Sequence, residues 1–167
     1  AAAMVRHLID CGHRAIVHVE GPAGNVEAAD RARGYAQAME AAGLKPVILP
    51  GNFDEESGRR AVERLQAEQV DVDAIFAAND MTAIGVMVAL RDMGVDVPTQ
   101  VAVAGFDNIP LARLISPGLT TMAVDIADMG ARGINRLVAL IDGEAVPQME
   151  LRQPGLIIRT SSQLSAA

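Results

Sequence analysis

Residues 74–108, AIFAANDMTAIGVMVALRDMGVDVPTQVAVAGFDN, decide the fold class of this 167-residue chain. The short apolar runs at 74–77 and 101–104 are typical of buried strands, and a helical stretch lies between them, beginning near Asn79 and ending before Gly94. A strand, a helix and a second strand in this order form a unit whose two strands run parallel. Because both strands are almost wholly apolar, we expect helices to cover both faces of the sheet.

The same alternation extends in both directions from this unit. Upstream, after an N-terminal helix near residues 4–9, the pattern predicts strands at 15–19 and 46–49 and helices at 27–42 and 54–69. Downstream, it predicts a strand at 119–123, an amphipathic helix at 125–142 and two short segments at 149–151 and 156–159. The predicted fold class is therefore α/β, a parallel sheet with helices on both faces.

Composition excludes several classes of protein. Half of the residues are apolar, which is too many for a disordered chain, yet no uninterrupted apolar run is long enough to cross a membrane. The 14 basic and 21 acidic residues give a net charge of −7, which argues against DNA binding by these residues themselves. A single cysteine excludes an internal disulfide framework, and the three histidines do not have the spacing of zinc ligands. We therefore expect no metal and no cofactor.

The N-terminus lacks the basic region and long apolar stretch of a secretory signal peptide. The chain instead enters a helix almost at once, as though partway through a longer protein. We therefore expect these residues to be a piece of a larger chain.

Polar side chains cluster directly after the predicted strands. In parallel sheets with helices on both faces, ligands bind beyond the carboxyl ends of the strands. That rule selects the loops at 21–27, 51–54, 79–80 and 106–110, each of which places polar or aromatic residues after an apolar strand.

A series of short strings resembles, in order, the effector-binding domain of LacI/GalR-type transcriptional regulators. The strings are GHR at 12–14, GP at 21–22, RARGY at 31–35, FAAND at 76–80, AIG at 83–85, VP at 97–98, VAGFD at 103–107, SP at 116–117, LTT at 119–121 and IRTS at 158–161. Such regulators have two similar lobes of the type I periplasmic-binding-protein kind around an effector cleft, preceded by a helix-turn-helix head. The resemblance implies that residues 1–123 form the C-terminal lobe. The resemblance also implies that residues 124–151 form a crossover segment, whose helix packs on a first lobe missing from this chain. Residues 152–167 would then return to the C-terminal lobe and form the tail.

The resemblance also points to six effector-binding residues. Arg31 matches the arginine that grips the effector, and its guanidinium offers fixed donors to hydroxyl or carboxylate groups. Phe53 matches an aromatic ring that stacks on a sugar or purine, and Asp107 matches a carboxylate that accepts from ligand hydroxyls or ring N–H groups. The remaining three match cleft positions at which effector contacts occur or vary: Asn79, Asn25 and Glu27.

Each of these residues also has a purely structural interpretation. Arg31 fits a surface ion pair, Phe53 fits a hydrophobic staple at a helix start, and Asp107 fits the cap of a turn. Asn79 is equally compatible with a cleft contact and with a structural role, whereas Asp80 beside it is predicted to cap the following helix.

The helix that follows is apolar on nearly all sides, with three polar residues between Met81 and Met93. One face covers the sheet, and the other requires a partner. The matching helix of the family joins a two-fold dimer, so the resemblance implies that four residues contact a second subunit: Ile84, Met87, Leu111 and Ile115.

The predicted function is that of the effector-sensing and dimerisation part of a cytoplasmic DNA-binding regulator, a repressor. It would bind a sugar or related polar metabolite between its lobes, with no membrane involvement, and alter operator binding through a helix-turn-helix head outside this chain. No nucleophile elbow, zinc-protease, phosphate-loop or dinucleotide motif occurs, so an enzyme is not predicted. The alternative is a periplasmic sugar-binding protein of a transport system, which shares the two-lobed fold.

Overall fold

Helices and strands alternate along the chain as the sequence pattern predicts. The computed structural model describes residues 1–148 and 152–163, so the segment predicted at 149–151 lies outside the described residues. The helices are α1 (Ala2–Asp10), α2 (Val26–Ala41), α3 (Glu55–Ala67), α4 (Asp80–Asp92) and α5 (Ile126–Ile141). The strands are β1 (Ile16–Val19), β2 (Val47–Leu49), β3 (Ala74–Ala77), β4 (Ala102–Asp107), β5 (Thr120–Ala123) and β6 (Gly155–Ile157). Short 3₁₀-helices lie at Pro110–Arg113 and Thr160–Ser162.

The strands of the described residues form one sheet in the order β2-β1-β3-β4-β5-β6. All neighbouring pairs are parallel except β5 and β6, where Met122 lies opposite Leu156 in an antiparallel pair. From β1 the chain passes to β2 on one side and then to β3 on the other. The carboxyl ends of β1 and β3 are therefore the point at which the winding reverses, the place where such sheets bind ligands.

The central strands β1, β3 and β4 are buried on both faces of the sheet. Successive residues of a strand point to opposite sides, so Ile16 and Phe76 pack with α1 and α2, while Val17 and Ile75 pack with α3 and α4. Each face has its own hydrophobic cluster. Continuous burial of this kind explains why the strands read as unbroken apolar runs rather than as alternating ones.

Helices α3 and α4 touch through two glycines. A Cβ atom on Gly85 would overlap the backbone carbonyl of Glu55, and one on Gly58 would overlap the carbonyl of Thr82. Helix backbones approach this closely only where neither residue carries a side chain. The start of α3 is therefore fixed against the first turns of α4.

His18 lies in the middle of β1 and is fully buried. Its ring stacks between Tyr35 and Phe76, with centroid distances of 5.2 and 4.9 Å, and its Nδ1 donates to the carbonyl oxygen of Phe76 over 2.8 Å. Among the described residues no hydrogen-bond partner meets its Nε2. Burial lowers the pKa of His18 to about 4, so the ring is neutral at pH 7.

Helix α5 leaves its apolar side open in the described part of the chain. None of its residues is buried. The exposed apolar residues are Ile126, Met129, Ile134, Leu137, Val138, Leu140 and Ile141. Within the described residues, no helix has both the length and the apolar character needed to cross a membrane.

We expect Gly85→Ala to lower the free energy of unfolding by about 1–3 kcal/mol, because the added methyl group forces α3 away from α4. Both variants are made in this 167-residue chain, in which Gly130→Ala in α5 is the matched control, since a Cβ there meets nothing within 4 Å. The control should leave stability unchanged or raise it by up to about 1 kcal/mol, as alanine favours helices over glycine. Urea unfolding followed by circular dichroism measures both, and equal effects would contradict the close contact.

His18 should make stability depend on pH. Between pH 6.5 and about 4 the unfolded chain takes up a proton that the folded chain does not, so the free energy of unfolding falls as pH falls, by on the order of 3 kcal/mol. His18→Phe keeps a stacking ring and should remove this part of the slope. Urea unfolding of both proteins at several pH values gives the two slopes, and the prediction is wrong if they coincide.

Candidate functional site

Arg31 spans the point at which the winding of the sheet reverses. It extends from α2, which follows β1, and donates from Nη1 to the carbonyl oxygen of Ala78, which follows β3, over 2.9 Å. Its guanidinium carbon lies 4.1 Å from the centroid of the Phe106 ring and 5.4 Å from that of Phe53. Cation–π contact and the carbonyl therefore fix the guanidinium in one place.

Asp107 lies at the carboxyl end of β4, beside this guanidinium. Its Oδ1 is 3.8 Å from Nη2 of Arg31, and its side chain is 28% exposed. Burial raises the pKa of Asp107, while the positive charge of Arg31 acts in the opposite direction. Asp107 and Asn108 both have positive φ angles, +114° and +58°, which residues with side chains adopt rarely, aspartate and asparagine more often than most.

Asp80 supports this loop from the start of α4. Its carboxylate lies 2.5 Å from the hydroxyl of Thr121 and accepts from the backbone N–H of Ile109 over 2.8 Å. Gly105 makes the approach possible, because a Cβ there would overlap the carboxylate. The prediction that Asp80 caps α4 is therefore wrong. The cap is Asn79, and the Asp80 side chain turns away toward β4 and β5.

Phe53 lies on the adjacent loop, just before α3. Its ring occupies the space that a Cβ on Gly21 would need, so this glycine of the loop after β1 makes room for it. Phe53 has a φ of +62°, which is a left-handed conformation. Nδ2 of Asn79 donates to the carbonyl oxygen of Phe53 over 2.8 Å, and this hydrogen bond stabilises that conformation. The ring is half-buried and faces Arg31.

Asn79 and Asn25 both use their side-chain oxygens as helix caps. Oδ1 of Asn79 accepts from the N–H of Thr82, and Oδ1 of Asn25 accepts from the N–H of Ala28, at 2.9 and 2.8 Å. Because Asn79 also donates to Phe53, both ends of its amide are engaged within the protein. Glu27 is exposed in the first turn of α2 and lies near enough to favour the charged form of Arg31.

The structure brings all six predicted effector residues to one hollow. This hollow has a volume of about 240 Å³ and is lined by Asn25, Glu27, Arg31, Phe53, Asn79 and Asp107. It is smaller than the 300–1,000 Å³ typical of ligand pockets. A second covering element would be needed to enclose a ligand here.

The four predicted dimer residues lie on another side of the molecule. Ile84, Met87 and Ile115 line a hollow of about 350 Å³ between α4 and residues 115–117. Met87 is 8% exposed and Leu111 is 41% exposed. The less buried apolar positions of α4 fall three and four residues apart, at Met81, Ile84 and Val88, as one open stripe.

Sequence reasoning missed the contacts that hold the site together. Three of these contacts leave no local pattern in the sequence, because the two partners in each are 26 or more residues apart. They join Arg31 to the carbonyl of Ala78, the Phe53 ring to the space at Gly21, and the Thr121 hydroxyl to the Asp80 carboxylate. Phe106 directly precedes Asp107 in the sequence, but its stacking on Arg31 appears only in three dimensions. Within the described residues, no group of three or more acidic, histidine or cysteine side chains is placed to hold a metal ion.

Known proteins share both the sequence pattern and the fold. The pattern of the family described as the periplasmic binding protein-like domain matches residues 5–162. The HTH-type transcriptional repressor PurR of Escherichia fergusonii is 35% identical over 160 residues, which cover 93% of this chain and 47% of the repressor. The chain thus spans about half the length of the curated relatives it matches.

Solved structures of transcriptional regulators have the same fold. The lac repressor dimer bound to operator and the anti-inducer ONPF superposes with a TM-score of 0.92 at 27% identity, over 98% of this chain and 50% of that one. The transcriptional regulator CelR in complex with cellobiose superposes with a TM-score of 0.87 at 34% identity, over 94% and 49%. The chain therefore belongs to the periplasmic binding protein-like domain family, and it matches about half of each of these transcriptional regulators in sequence and fold.

Proposed function

We propose that this domain senses a small neutral, hydroxyl-rich molecule, such as a sugar, for a cytoplasmic repressor that reads operator DNA. The observation that carries the proposal is the hollow in which Arg31, Phe53 and Asp107 meet at the switch point of the sheet. A flat ring beside hydrogen-bonding groups suits a ligand with one apolar face and several hydroxyls. The matched relatives are repressors rather than enzymes, which supports a binding role.

The charges of the hollow favour a neutral ligand over an anion. Of its six lining residues, Arg31 is a cation and Glu27 and Asp107 are acidic. The guanidinium is already paired with Asp107, bonded to the backbone and stacked on Phe106. Little positive charge is left for a phosphate or carboxylate, whereas the acidic groups can accept from hydroxyl donors.

The rest of the cleft would come from a first lobe outside these 167 residues. We propose that residues 1–123 form the C-terminal lobe, that 124–151 cross to the other lobe, and that 152–167 return. The apolar side of α5, open from Ile126 to Ile141, supports this division because such a surface requires a cover. The small volume of the hollow is what half of a cleft would give.

We also propose that the intact protein is a two-fold dimer built on α4 and the segment around Leu111 and Ile115. Leu111 and Leu114 are 41% and 69% exposed, and Ile84 lies in the open stripe of α4. An effector that prefers one arrangement of the lobes would then shift the dimer between states with different operator affinity. Operator binding would be the task of a helix-turn-helix head outside this chain.

We expect Arg31→Ala to weaken ligand binding by roughly 10–100-fold, because hydrogen bonds to a charged group contribute about 1.5–3 kcal/mol. The measurement is calorimetry on the intact protein with a panel of neutral sugars including cellobiose, nucleobases and glucose 6-phosphate. Arg33→Ala, which removes an exposed arginine of the same helix paired with Asp30, should leave affinity unchanged. Equal losses in both variants, or preference for the phosphorylated sugar, would contradict the assignment.

We expect Ile84→Arg to convert the intact dimer to monomer, weakening association by roughly 100-fold or more because an unpaired charge would be buried. Sedimentation velocity at micromolar concentration measures the change. Glu40→Arg, on the exposed side of α2, places the same charge away from the proposed interface and should leave the dimer intact. A wild-type protein that sediments as a monomer would rule out the dimer.

A further inference from the structure

Asp80 has a role that neither the ligand nor the dimer proposal uses. It is the first residue of α4, it is fully buried, and its carboxylate points away from its own helix end. Oδ2 accepts from the N–H of Ile109, and Oδ1 lies at hydrogen-bond distance from the hydroxyl of Thr121. A buried carboxylate is retained only where several donors compensate for its lost hydration. One donor, Ile109, lies in the loop that carries Asp107, and the other, Thr121 of β5, accepts from the N–H of Asn108 in that loop.

The loop needs such support because two of its residues are strained. Asp107 and Asn108 have positive φ angles, which persist only where contacts with neighbouring residues hold the backbone in place. The N–H of Asn108 points to the hydroxyl of Thr121 at 3.3 Å, and that hydroxyl is bonded to Asp80. Asp80 therefore bonds to Ile109, and the N–H of Asn108 faces both the Asp80 carboxylate and the Thr121 hydroxyl.

The same carboxylate ties the loop to the proposed dimer face. Asp80 begins α4, and Ile109 immediately precedes the 3₁₀-helix Pro110–Arg113 that carries Leu111. We propose that Asp80 is the positioning residue of the effector site, holding Asp107 in its left-handed conformation and joining that loop to α4 and to the 3₁₀-helix. The consequence for effector binding rests on the proposed function. The support that the Asp80 carboxylate gives to the loop does not depend on that function.

The charge of Asp80 is sensitive to pH. Burial raises its pKa to about 6, and nearby Asp107 raises it too, while the bonds from Thr121 and Ile109 lower it. The other charged groups at this loop are Arg31, beside Asp107, and Arg159, which donates to Oδ1 of Asn108 over 2.8 Å. Protonation replaces charge-assisted hydrogen bonds with neutral ones of about half the strength.

The test is hydrogen–deuterium exchange with residue resolution on the intact protein, without ligand, at pH 7.5 and 5.0. At pH 7.5 we expect Asp80→Asn to speed exchange of the Asn108 and Ile109 amides at least tenfold, with the β4 amides unchanged. Wild type at pH 5.0, after correction for intrinsic rates, should lose at least threefold protection at the same amides. The variant should show no such pH effect. Asp92→Asn, at the exposed end of α4 beside Arg91, is the matched control and should behave as wild type.

A second variant covers the case in which Asp80→Asn does not fold. Thr121→Val removes the hydroxyl but keeps the Asp80 carboxylate, so it should speed exchange at Asn108 more than at Ile109, and Thr121→Ser should restore Asn108. Faster exchange spread evenly over α4 and β4, or wild-type protection that ignores pH, would overturn the proposal. The experiment needs neither ligand nor dimer, so its outcome is separate from that of the proposed function.

Discussion

Burial of the sheet on both faces is the constraint on which the rest of this molecule depends. Every residue of β1 and β3 is inaccessible to solvent, so these strands have no place for a solvated polar group. His18 is the polar residue of β1, and its ring is neutral and stacked between two aromatic rings. Polar chemistry is therefore confined to the loops at the carboxyl edge, where the ends of parallel strands lie side by side.

At that edge four consecutive residues of β4 and its loop meet three other parts of the chain. Gly105 admits the Asp80 carboxylate from α4, and Phe106 supports the guanidinium of Arg31 from α2. Asp107 faces the same guanidinium, and Asn108 accepts from an arginine near the end of the described chain. The proposed ligand contacts and their supports thus meet on this one segment, which contacts α4 through Asp80.

Local pattern accounts for most of the fold. Apolar runs located the strands, and Asp54 caps α3 as its sequence position predicts. The failure at Asp80 has a physical cause: two neighbouring residues, Asn79 and Asp80, both suit a helix cap, and the choice depends on Thr121, 41 residues away. The Gly85 contact and the left-handed backbone of Phe53 are equally non-local, since each is imposed by a packing neighbour rather than by its own segment.

We propose that the carboxyl edge of this sheet forms half of a ligand cleft in the intact protein. A crystal structure of the intact protein with its tightest-binding ligand tests it most directly. We expect ligand hydroxyls within about 3 Å of the Asp107 carboxylate and the Arg31 guanidinium, with an apolar face of the ligand against Phe53. A ligand seated instead in the cavity of about 560 Å³ between α5 and the β5–β6 edge, with Arg31 and Asp107 uncontacted, would contradict it.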